Sequence, residues 1–343
     1  MSSIKEIARL ANVSQGTASL VMNGKGDQYR ISAATQQKVL EAARALNYQP
    51  NISARRLRSG GEKVLPIIAL FWTLDTRTVL ISRFLRGLQQ ELAEIEGEYE
   101  LLIQPFVGSK LSETRSLVTG TRFNGAIIAN PTEEDERYLE QSQLNVPIVL
   151  YQRSSERYAS VNVDSYASGR AVAELFASRG HQRVGVLVPD VSSAAIRLRK
   201  EGFLERAAEL GLEVRDEHMV YGDFSERGGY EAACKLVKTS LPSALFVISD
   251  QMAVGALSGL HDSGKRVPDD IELVGHDDDE IARFTIPSLS TVHLPVEEMA
   301  RECLRMLVDL IHHRSPEPVA RLMDTSIVLR TSCGIDSSNA DDA

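Results

Sequence analysis

Three polar residues near the amino terminus, Gln15, Thr17 and Ser19, with Gly16 between the first two, have the chemistry needed to read DNA. A glutamine amide can pair with adenine through two hydrogen bonds, and serine or threonine hydroxyls can reach base edges or phosphates. Ser14 precedes them at a position typical of a helix N-cap, which predicts a helix that begins with these residues. A recognition helix places its amino-terminal residues against the bases of the major groove, so these residues are candidates for sequence-specific DNA contact.

The charge distribution indicates a polyanionic partner for the same segment. The whole chain has a net charge of −9, but residues 1–60 hold nine basic and three acidic side chains, or +6. The remainder therefore holds 29 basic and 44 acidic side chains, or −15. A basic head on an acidic body favours DNA binding by the head alone, because the body repels DNA.

No pattern in the sequence indicates catalysis. The nucleophile-elbow, phosphate-loop and zinc-protease motifs are absent, and no G-x-G-x-x-G follows the first predicted strand. Cys234, Cys303 and Cys333 are too widely spaced for a disulfide framework or a metal site. We therefore expect no enzyme activity, no cofactor and no metal.

The chain of 343 residues exceeds one typical domain, and its 43% hydrophobic content is ordinary for a globular protein. No window approaches the roughly 18 apolar residues of a membrane span. The opening residues lack the apolar core of a signal peptide. These features predict a cytoplasmic protein.

The basic head is predicted to be helical. Apolar spacing predicts a helix over 3–11, the Ser14 helix extends to about Met22, and a third helix starts at Ser32 and ends before Pro50. Residues 51–58 can form further helical turns, and Ser59-Gly60-Gly61 reads as a linker.

The rest of the chain alternates apolar strands with amphipathic helices. The predicted strands lie at 65–71, 101–106, 125–130, 147–151, 160–164, 183–189, 244–249 and 271–277, with a last strand near 325–330. The predicted helices lie near 80–95, 112–120, 134–142, 166–179, 198–210, 227–239, 251–263 and 296–313. Strands that are apolar on both faces and separated by helices predict parallel sheets, and the length of the pattern favours two of them.

Several motifs resemble those of the lactose-repressor/galactose-repressor (LacI/GalR) family of bacterial transcription regulators. The head has the I-x-x-x-A-x-x-A-x-V-S opening, the T-x-S-x-V-x-N recognition helix and the L-x-Y-x-P-N-x-x-A-R-x-L hinge. Five further motifs follow in order along the rest of the chain: V-x-x-D-x-x-x-x-G, R-G-H-x-x-V-G, R-x-x-G-F, S-D-Q-M-A-x-G-A and V-P-D-D-I-x-L-V-G-x-D-D. The resemblance therefore covers essentially the whole chain.

The resemblance implies a small all-α helix-turn-helix head and an α/β core of two Rossmann-like lobes, similar to periplasmic binding proteins. It places the head at 1–50, the hinge helix and linker at 51–63, the effector-binding and dimerisation domain at 64–335, and a disordered tail at 336–343. Within that domain, the first lobe comprises 64–160 and 291–322, and the second comprises 161–290 and 323–335.

The resemblance also implies which residues contact DNA. The recognition helix supplies the residues named above together with Asn23, and the hinge supplies Asn51, Ala54, Arg55, Leu57 and Arg58. Leu57 holds the position of an apolar wedge that enters the minor groove at the operator centre, where unstacking a base step bends the DNA.

Two features depart from the family. Leu20 replaces a polar residue that usually faces the groove, and the loop from Lys25 to Arg30 is longer than usual, which makes these two basic residues candidates for phosphate contact.

A small effector, by the same resemblance, binds between the lobes. Ligands of open α/β sheets bind at the carboxyl ends of strands. The residues at family positions are Gln152, Arg199, Ser249 and Asp277. Arg197 lies just before Arg199, and Phe71, Trp72 and Asp75 follow the first strand; these four are further candidates. An arginine, carboxylates and an aromatic face suit a sugar or similar polyol.

Other interpretations stay open for some of these residues. Trp72 can equally belong to the core or to a dimer interface, and His276, which replaces a usual aromatic, favours a structural role. The acidic run 277–280 reads as a solvated loop with one functional member rather than as a metal site.

We expect a homodimer that binds a pseudo-palindromic operator, with effector binding changing the lobe angle and, through the hinge, operator affinity. A solute-binding protein and an architectural DNA protein are the alternatives. The first would function without residues 1–60, and the second would bind DNA regardless of any small molecule. The sequence does not indicate whether the effector releases or recruits the DNA complex.

Overall fold

The computed structural model describes residues 4–22, 24–46, 65–73, 78–120, 122–142, 144, 146–314 and 318–334. The predicted hinge contacts Asn51, Ala54, Arg55, Leu57 and Arg58, together with Asn23, Asp75 and the tail 336–343, lie outside these residues.

The head contains three helices: α1 (Ile4–Leu10), α2 (Gln15–Met22) and α3 (Ala33–Ala45). Asn12 turns the chain between α1 and α2 with a φ of 52°, in the left-handed region that asparagine tolerates. The Ser14 hydroxyl accepts a hydrogen bond from the Thr17 amide at 3.0 Å, as expected of an N-cap. Ile7, Ala18 and Val39 are fully buried, one from each helix, and form the centre of a small apolar core.

The first sheet has the strand order β11-β5-β4-β3-β1-β2, and β1 to β4 pair in parallel. Its strands are β1 (Ile67–Thr73), β2 (Glu100–Phe106), β3 (Gly125–Ala129), β4 (Ile148–Tyr151), β5 (Ala159–Val163) and β11 (Ala320–Met323). The helices that connect them are α4 (Thr78–Glu94), α5 (Arg115–Thr119) and α6 (Glu133–Gln141). The central strands are buried on both faces, as the apolar runs predicted.

The second sheet has the order β12-β10-β9-β8-β6-β7, parallel except for β12 against β10. Its strands are β6 (Val184–Pro189), β7 (Met219–Gly222), β8 (Ala244–Val247), β9 (Glu272–Asp277), β10 (Ser290–His293) and β12 (Ser326–Val328). The helices are α7 (Ser165–Ser178), α8 (Ala194–Glu209), α9 (Glu226–Thr239) and α10 (Asp250–Asp262). After β10, α11 (Val296–Ile311) returns the chain to the first unit, where Leu307 and Ile311 lie against Gly125 of β3. The two parallel sheets confirm the predicted fold class.

Backbone contacts divide the chain into two compact units. The chain passes from one unit to the other at 74/75, 87/88, 160/161, 299/300 and 320/321. The sequence placed the return to the first lobe at 291, but β10 belongs to the second sheet, so the return occurs later. Strands β7, β10 and β11 were not predicted. Each is four residues long, β11 is largely exposed, and polar residues or glycine interrupt all three, so none shows a continuous apolar run.

Two helix pairs of the second unit pack backbone against backbone. A Cβ at Gly169 of α7 would overlap the carbonyl oxygen of Arg199 on α8. A Cβ at Gly255 of α10 would likewise overlap the carbonyl oxygen of Glu226 on α9. Glycine is required where backbones approach this closely, and these contacts fix the helices that carry the site described below.

Among the described residues, none of the helices combines the length and apolarity needed to cross a bilayer.

Candidate functional site

The amino-terminal end of α2 presents the predicted base-reading residues on the head. Gln15 and Gly16 are exposed, and Thr17 and Ser19 are half-buried. The Thr17 hydroxyl lies 2.8 Å from the Ser14 hydroxyl, so it takes part in the N-cap as well as facing outward. This arrangement leaves the Gln15 amide as the longest exposed polar side chain at the start of the helix.

The loop after α2 is held by hydrogen bonds from a side chain of α3. The Gln36 amide donates to the Asp27 carboxylate at 2.9 Å and to the Ile31 carbonyl at 2.8 Å. Lys25 and Arg30 are both exposed on this loop, and Arg30 adopts a left-handed φ of 55°. Two basic side chains are therefore accessible next to the recognition helix.

At the carboxyl ends of the first sheet, Trp72 and Phe71 point to opposite faces of β1. Phe71 is fully buried and packs edge-on against Phe123, with ring centroids 5.4 Å apart. It is a core residue, so the predicted contact with a ligand does not fit. Trp72 is also buried, stacked on Tyr151 with ring centroids 6.2 Å apart, which agrees with the alternative that it belongs to the core.

Gln152 lies one residue beyond β4 and is half-buried, with a left-handed φ of 56°. Its amide donates to the Tyr151 hydroxyl at 3.1 Å. The buried Arg153 guanidinium holds this turn by donating to the Gln152 carbonyl at 2.6 Å and to the Pro131 carbonyl at 2.9 Å. Asn130, at the end of β3, is also left-handed and buried, and its amide nitrogen has no hydrogen-bond partner among the described residues.

Asn130 and Arg153 were not among the predicted site residues. The asparagine that ends the apolar run G-A-I-I-A-N was the only signal available for the first. Arg153 gave no signal, because an arginine is expected at the surface unless its partners are known.

The carboxyl ends of the second sheet bring together Arg199, Ser249, His276 and Asp277. The Arg199 guanidinium lies 3.9 Å from the Asp277 carboxylate, and both side chains are about 95% buried. The Nδ1 atom of His276 lies 3.0 Å from the same carboxylate. Ser249, at the start of α10, is completely buried, and its hydroxyl has no partner among the described residues.

His276 is held neutral at this site. Burial lowers its pKa well below the usual 6.5, and the charge of Arg199 lowers it further. A neutral imidazole whose Nδ1 faces a carboxylate carries its proton on Nδ1 and leaves Nε2 as an acceptor. That Nε2 atom is buried and has no partner among the described residues, so it can accept a hydrogen bond from a ligand.

Arg197, by contrast, is separated from this cluster. Its side chain is half exposed and forms an ion pair with Glu201, one turn along α8, at 3.2 Å. Residues two apart on a helix point about 200° apart, so Arg197 and Arg199 cannot face the same site. Arg199 therefore lies in the buried cluster, whereas Arg197 lies on the exposed side of α8.

The acidic run after β9 is not a solvated loop. Asp277 and Asp279 are buried, the side chain of Asp278 is about nine-tenths buried, and only Glu280 is exposed. Burial alone would raise the pKa of Asp278, but hydrogen bonds from His293 and Arg330 lower it to about 2. Burial and the charge of Asp277 raise the pKa of Asp279 to about 7.

Asp250 supports this turn from α10. Its carboxylate is fully buried, and accepts from the Thr291 hydroxyl at 2.7 Å and from the Asp279 amide at 2.9 Å. Burial raises its pKa well above 3.8, and the charge of Asp277 raises it further. No group of side chains arranged to hold a metal ion occurs in the described part of the chain.

Comparison with known proteins identifies both parts of the chain. Residues 3–51 match the model of bacterial regulatory proteins of the lacI family, and residues 173–333 match a periplasmic binding protein-like domain. The probable HTH-type transcriptional repressor ExuR of Bacillus subtilis (strain 168) is 30% identical over 340 residues, which cover 97% of this chain and 98% of the relative.

Two solved structures are similar over nearly the full length. The complex of the transcriptional regulator CelR with cellobiose is 27% identical, with a TM-score of 0.71, over 97% of this chain and 100% of the other. The lac repressor dimer bound to operator and the anti-inducer ONPF is 25% identical, with a TM-score of 0.70, over 97% and 99% of the two chains. These proteins are regulators rather than enzymes, and the lacI-type head distinguishes the chain from a solute-binding protein. The chain therefore belongs to the lacI family of bacterial regulatory proteins and is a DNA-binding transcription regulator, not an enzyme.

Proposed function

We propose that this regulator is a repressor whose affinity for operator DNA is controlled by a sugar or sugar derivative. The observation that carries the proposal is the buried cluster of Arg199, Ser249, His276 and Asp277 at the carboxyl ends of the second sheet. Such strand ends are where open α/β sheets bind ligands.

The chemistry of the cluster matches a polyol. A sugar hydroxyl both donates and accepts, and the cluster offers a guanidinium donor, a carboxylate acceptor and the acceptor nitrogen of His276. A buried polar atom without a partner costs about 1–3 kcal/mol, and this cost favours a ligand that supplies the missing bonds to His276 and Ser249.

Two named relatives support the nature of the effector and the direction of regulation. CelR was solved with cellobiose, and ExuR of Bacillus subtilis carries the name of a repressor.

The proposed DNA contacts are the exposed start of α2, the loop residues Lys25 and Arg30, and the hinge around Leu57. The proposed domain division is a head at 1–50, a hinge at 51–63 and the effector domain at 64–335, and we place the protein in the cytoplasm, on the nucleoid.

Arg199→Ala is expected to abolish the response to the effector without weakening the DNA complex. Purified protein is screened by thermal unfolding against cellobiose, D-ribose, glucose 6-phosphate and adenosine, and operator affinity is measured on a sequence selected in vitro. A ligand at about 100 times its Kd adds about 2.7 kcal/mol, which raises the Tm by about 5–11 °C at about 2–4 °C per kcal/mol. Losing one charged hydrogen-bond donor should weaken that ligand about 10- to 100-fold.

Arg197→Ala is the matched control, because it removes an arginine from the same helix but from its exposed face. A response that survives in Arg199→Ala, or is lost equally in both variants, contradicts the assignment. The sign of the change in operator affinity on adding ligand shows whether the ligand releases or recruits the DNA complex.

We also propose that the regulator acts as a homodimer on a two-fold operator. The second unit carries three exposed apolar side chains close together in sequence: Ile281, Phe284 and Ile286 are 49%, 71% and 96% exposed. Apolar side chains grouped in this way mark interaction surfaces. The occupant we propose is a second copy of the chain, because the lac repressor is a dimer on its operator.

Ile286→Asp is expected to weaken dimerisation about 100-fold or more, because a two-fold interface contains the substituted residue twice and each buried side chain contributes about 1.5 kcal/mol or more. Sedimentation over a concentration series measures the dissociation constant. Leu322→Asp, at a residue that is 69% exposed on β11, should leave the constant unchanged. If the two variants dimerise with the same dissociation constant, the surface that carries Ile281, Phe284 and Ile286 is not the dimer interface.

A further inference from the structure

The turn at the end of β9 is held by an arginine from the first part of α4, which belongs to the same compact unit as β9. Arg83 of α4 is about nine-tenths buried. Its Nη1 donates to the Asp277 carbonyl at 2.7 Å, and its Nη2 donates to the Leu294 carbonyl at 3.0 Å. Nε and Nη2 both donate to the Glu297 carboxylate, the latter at 2.8 Å.

These bonds commit the guanidinium to the protein. Nη1 also approaches the Asp278 carbonyl at 3.4 Å and the Asp279 carboxylate at 3.6 Å. Burial alone would lower the pKa of Arg83, but the bond to Glu297 and the negative charges of Glu297, Asp279 and Asp277 together raise it. A guanidinium has five N–H groups, and each of its nitrogens is already bonded. Arg83 therefore acts through the backbone that it holds rather than on a ligand.

The turn requires such support. Asp277 and Asp278 have φ values of 121° and 53°, in the region that favours glycine. Residues with a Cβ persist there only where the surrounding structure determines their conformation. Two amides of the turn depend on that conformation: Asp278 donates to the Thr291 hydroxyl at 3.3 Å, and Asp279 donates to Asp250 at 2.9 Å.

We propose that Arg83 is a positioning residue for effector binding, which fixes the backbone of Asp277 so that its carboxylate lies beside Arg199. This role rests on the proposed function, since Asp277 is one of the ligand residues. Glu297 aligns the guanidinium, and the bond to the Asp277 carbonyl sets the turn. Arg83 touches no ligand and controls how one is recognised.

Hydrogen exchange in the absence of any ligand tests the positioning role. In Arg83→Met, the amides of Asp278 and Asp279 should exchange about tenfold faster or more, because their acceptors move out of reach. Arg86→Met is the matched control: Arg86 also pairs with Glu297, at 3.8 Å, but its side chain is 58% exposed. Unchanged exchange in Arg83→Met overturns the proposal, and so does equal acceleration in both variants.

Arg83→Lys provides the same test if Arg83→Met does not fold. Lysine keeps the charge but cannot bond three separate partners from a rigid fork, so exchange at the turn should still rise. Exchange at the wild-type rate in this variant overturns the proposal.

A ligand experiment separates this inference from the proposed function. Where cellobiose, D-ribose, glucose 6-phosphate or adenosine stabilises the wild type, Arg83→Met should bind that compound at least about tenfold more weakly. Its operator affinity without the compound should match that of Arg86→Met, and full retention of ligand affinity overturns the inference. If none of the four compounds binds the wild type, the proposed effector class fails, and the exchange rates alone decide whether Arg83 holds the turn.

Discussion

Gly255→Ala is expected to lower the free energy of unfolding of the second unit by about 3 kcal/mol, the upper end of the usual cost of overpacking. The added Cβ would overlap the backbone carbonyl of Glu226 and lie close to the Tyr230 amide. Neither atom belongs to a flexible side chain, so α9 and α10 must move apart. Because α10 begins beside Ser249, we also expect weaker ligand binding in this variant.

Urea denaturation followed by circular dichroism measures the change in unfolding free energy. Ser258→Ala is the control, since Ser258 lies on the exposed side of the same helix and the change should alter stability by no more than about 0.5 kcal/mol. Equal stability of the two variants would show that the helices tolerate the methyl group and that their close approach is not required.

Arg330→Met is expected to destabilise the protein by about 3–5 kcal/mol, the usual cost of removing one partner from a buried ion pair. The Arg330 guanidinium lies 2.7 Å from the Asp278 carboxylate, and both side chains are about nine-tenths buried. It also donates to the Leu289 carbonyl at 2.8 Å. Methionine fills similar volume but cannot pair with that carboxylate, which keeps its hydrogen bond with His293 at 2.9 Å.

The pH dependence of stability gives a second measure of the same pair. The pKa of Asp278 falls from 3.8 to about 2 on folding, so the unfolded chain binds its proton first as the pH falls. The stabilisation, roughly 2 kcal/mol, is complete above about pH 4 and is lost between about pH 4 and 2. The urea midpoint of the wild type should fall over this range, and that of Arg330→Met should fall less.

Arg227→Met is the control for this substitution. Arg227 forms an ion pair with Glu231 at 2.8 Å, but both side chains are mostly exposed, so its loss should cost no more than about 1 kcal/mol. If Arg330→Met also lowers the free energy of unfolding by no more than about 1 kcal/mol, the ion pair with Asp278 does not stabilise the fold. The same conclusion holds if the urea midpoint of Arg330→Met depends on pH as that of the wild type does.

Much of the architecture could be predicted from local patterns. N-cap serines and apolar spacing located the three head helices, because these signals act within one or two turns. Continuous apolar runs located the central strands, because strands buried on both faces need apolar side chains on both. The family motifs placed Arg199 and Asp277, which the fold brings within 3.9 Å of each other.

The sequence by itself thus determined the element types, the two parallel sheets and the principal ligand candidates. Only the tertiary structure decided which of two neighbouring arginines is buried beside Asp277, Arg199 rather than Arg197, and that Phe71 lies in the core. It also decided that Arg83 and Arg330 hold the turn after β9. Their partners lie far away along the chain, so no local pattern could report contacts that exist only after the sheets and helices have packed.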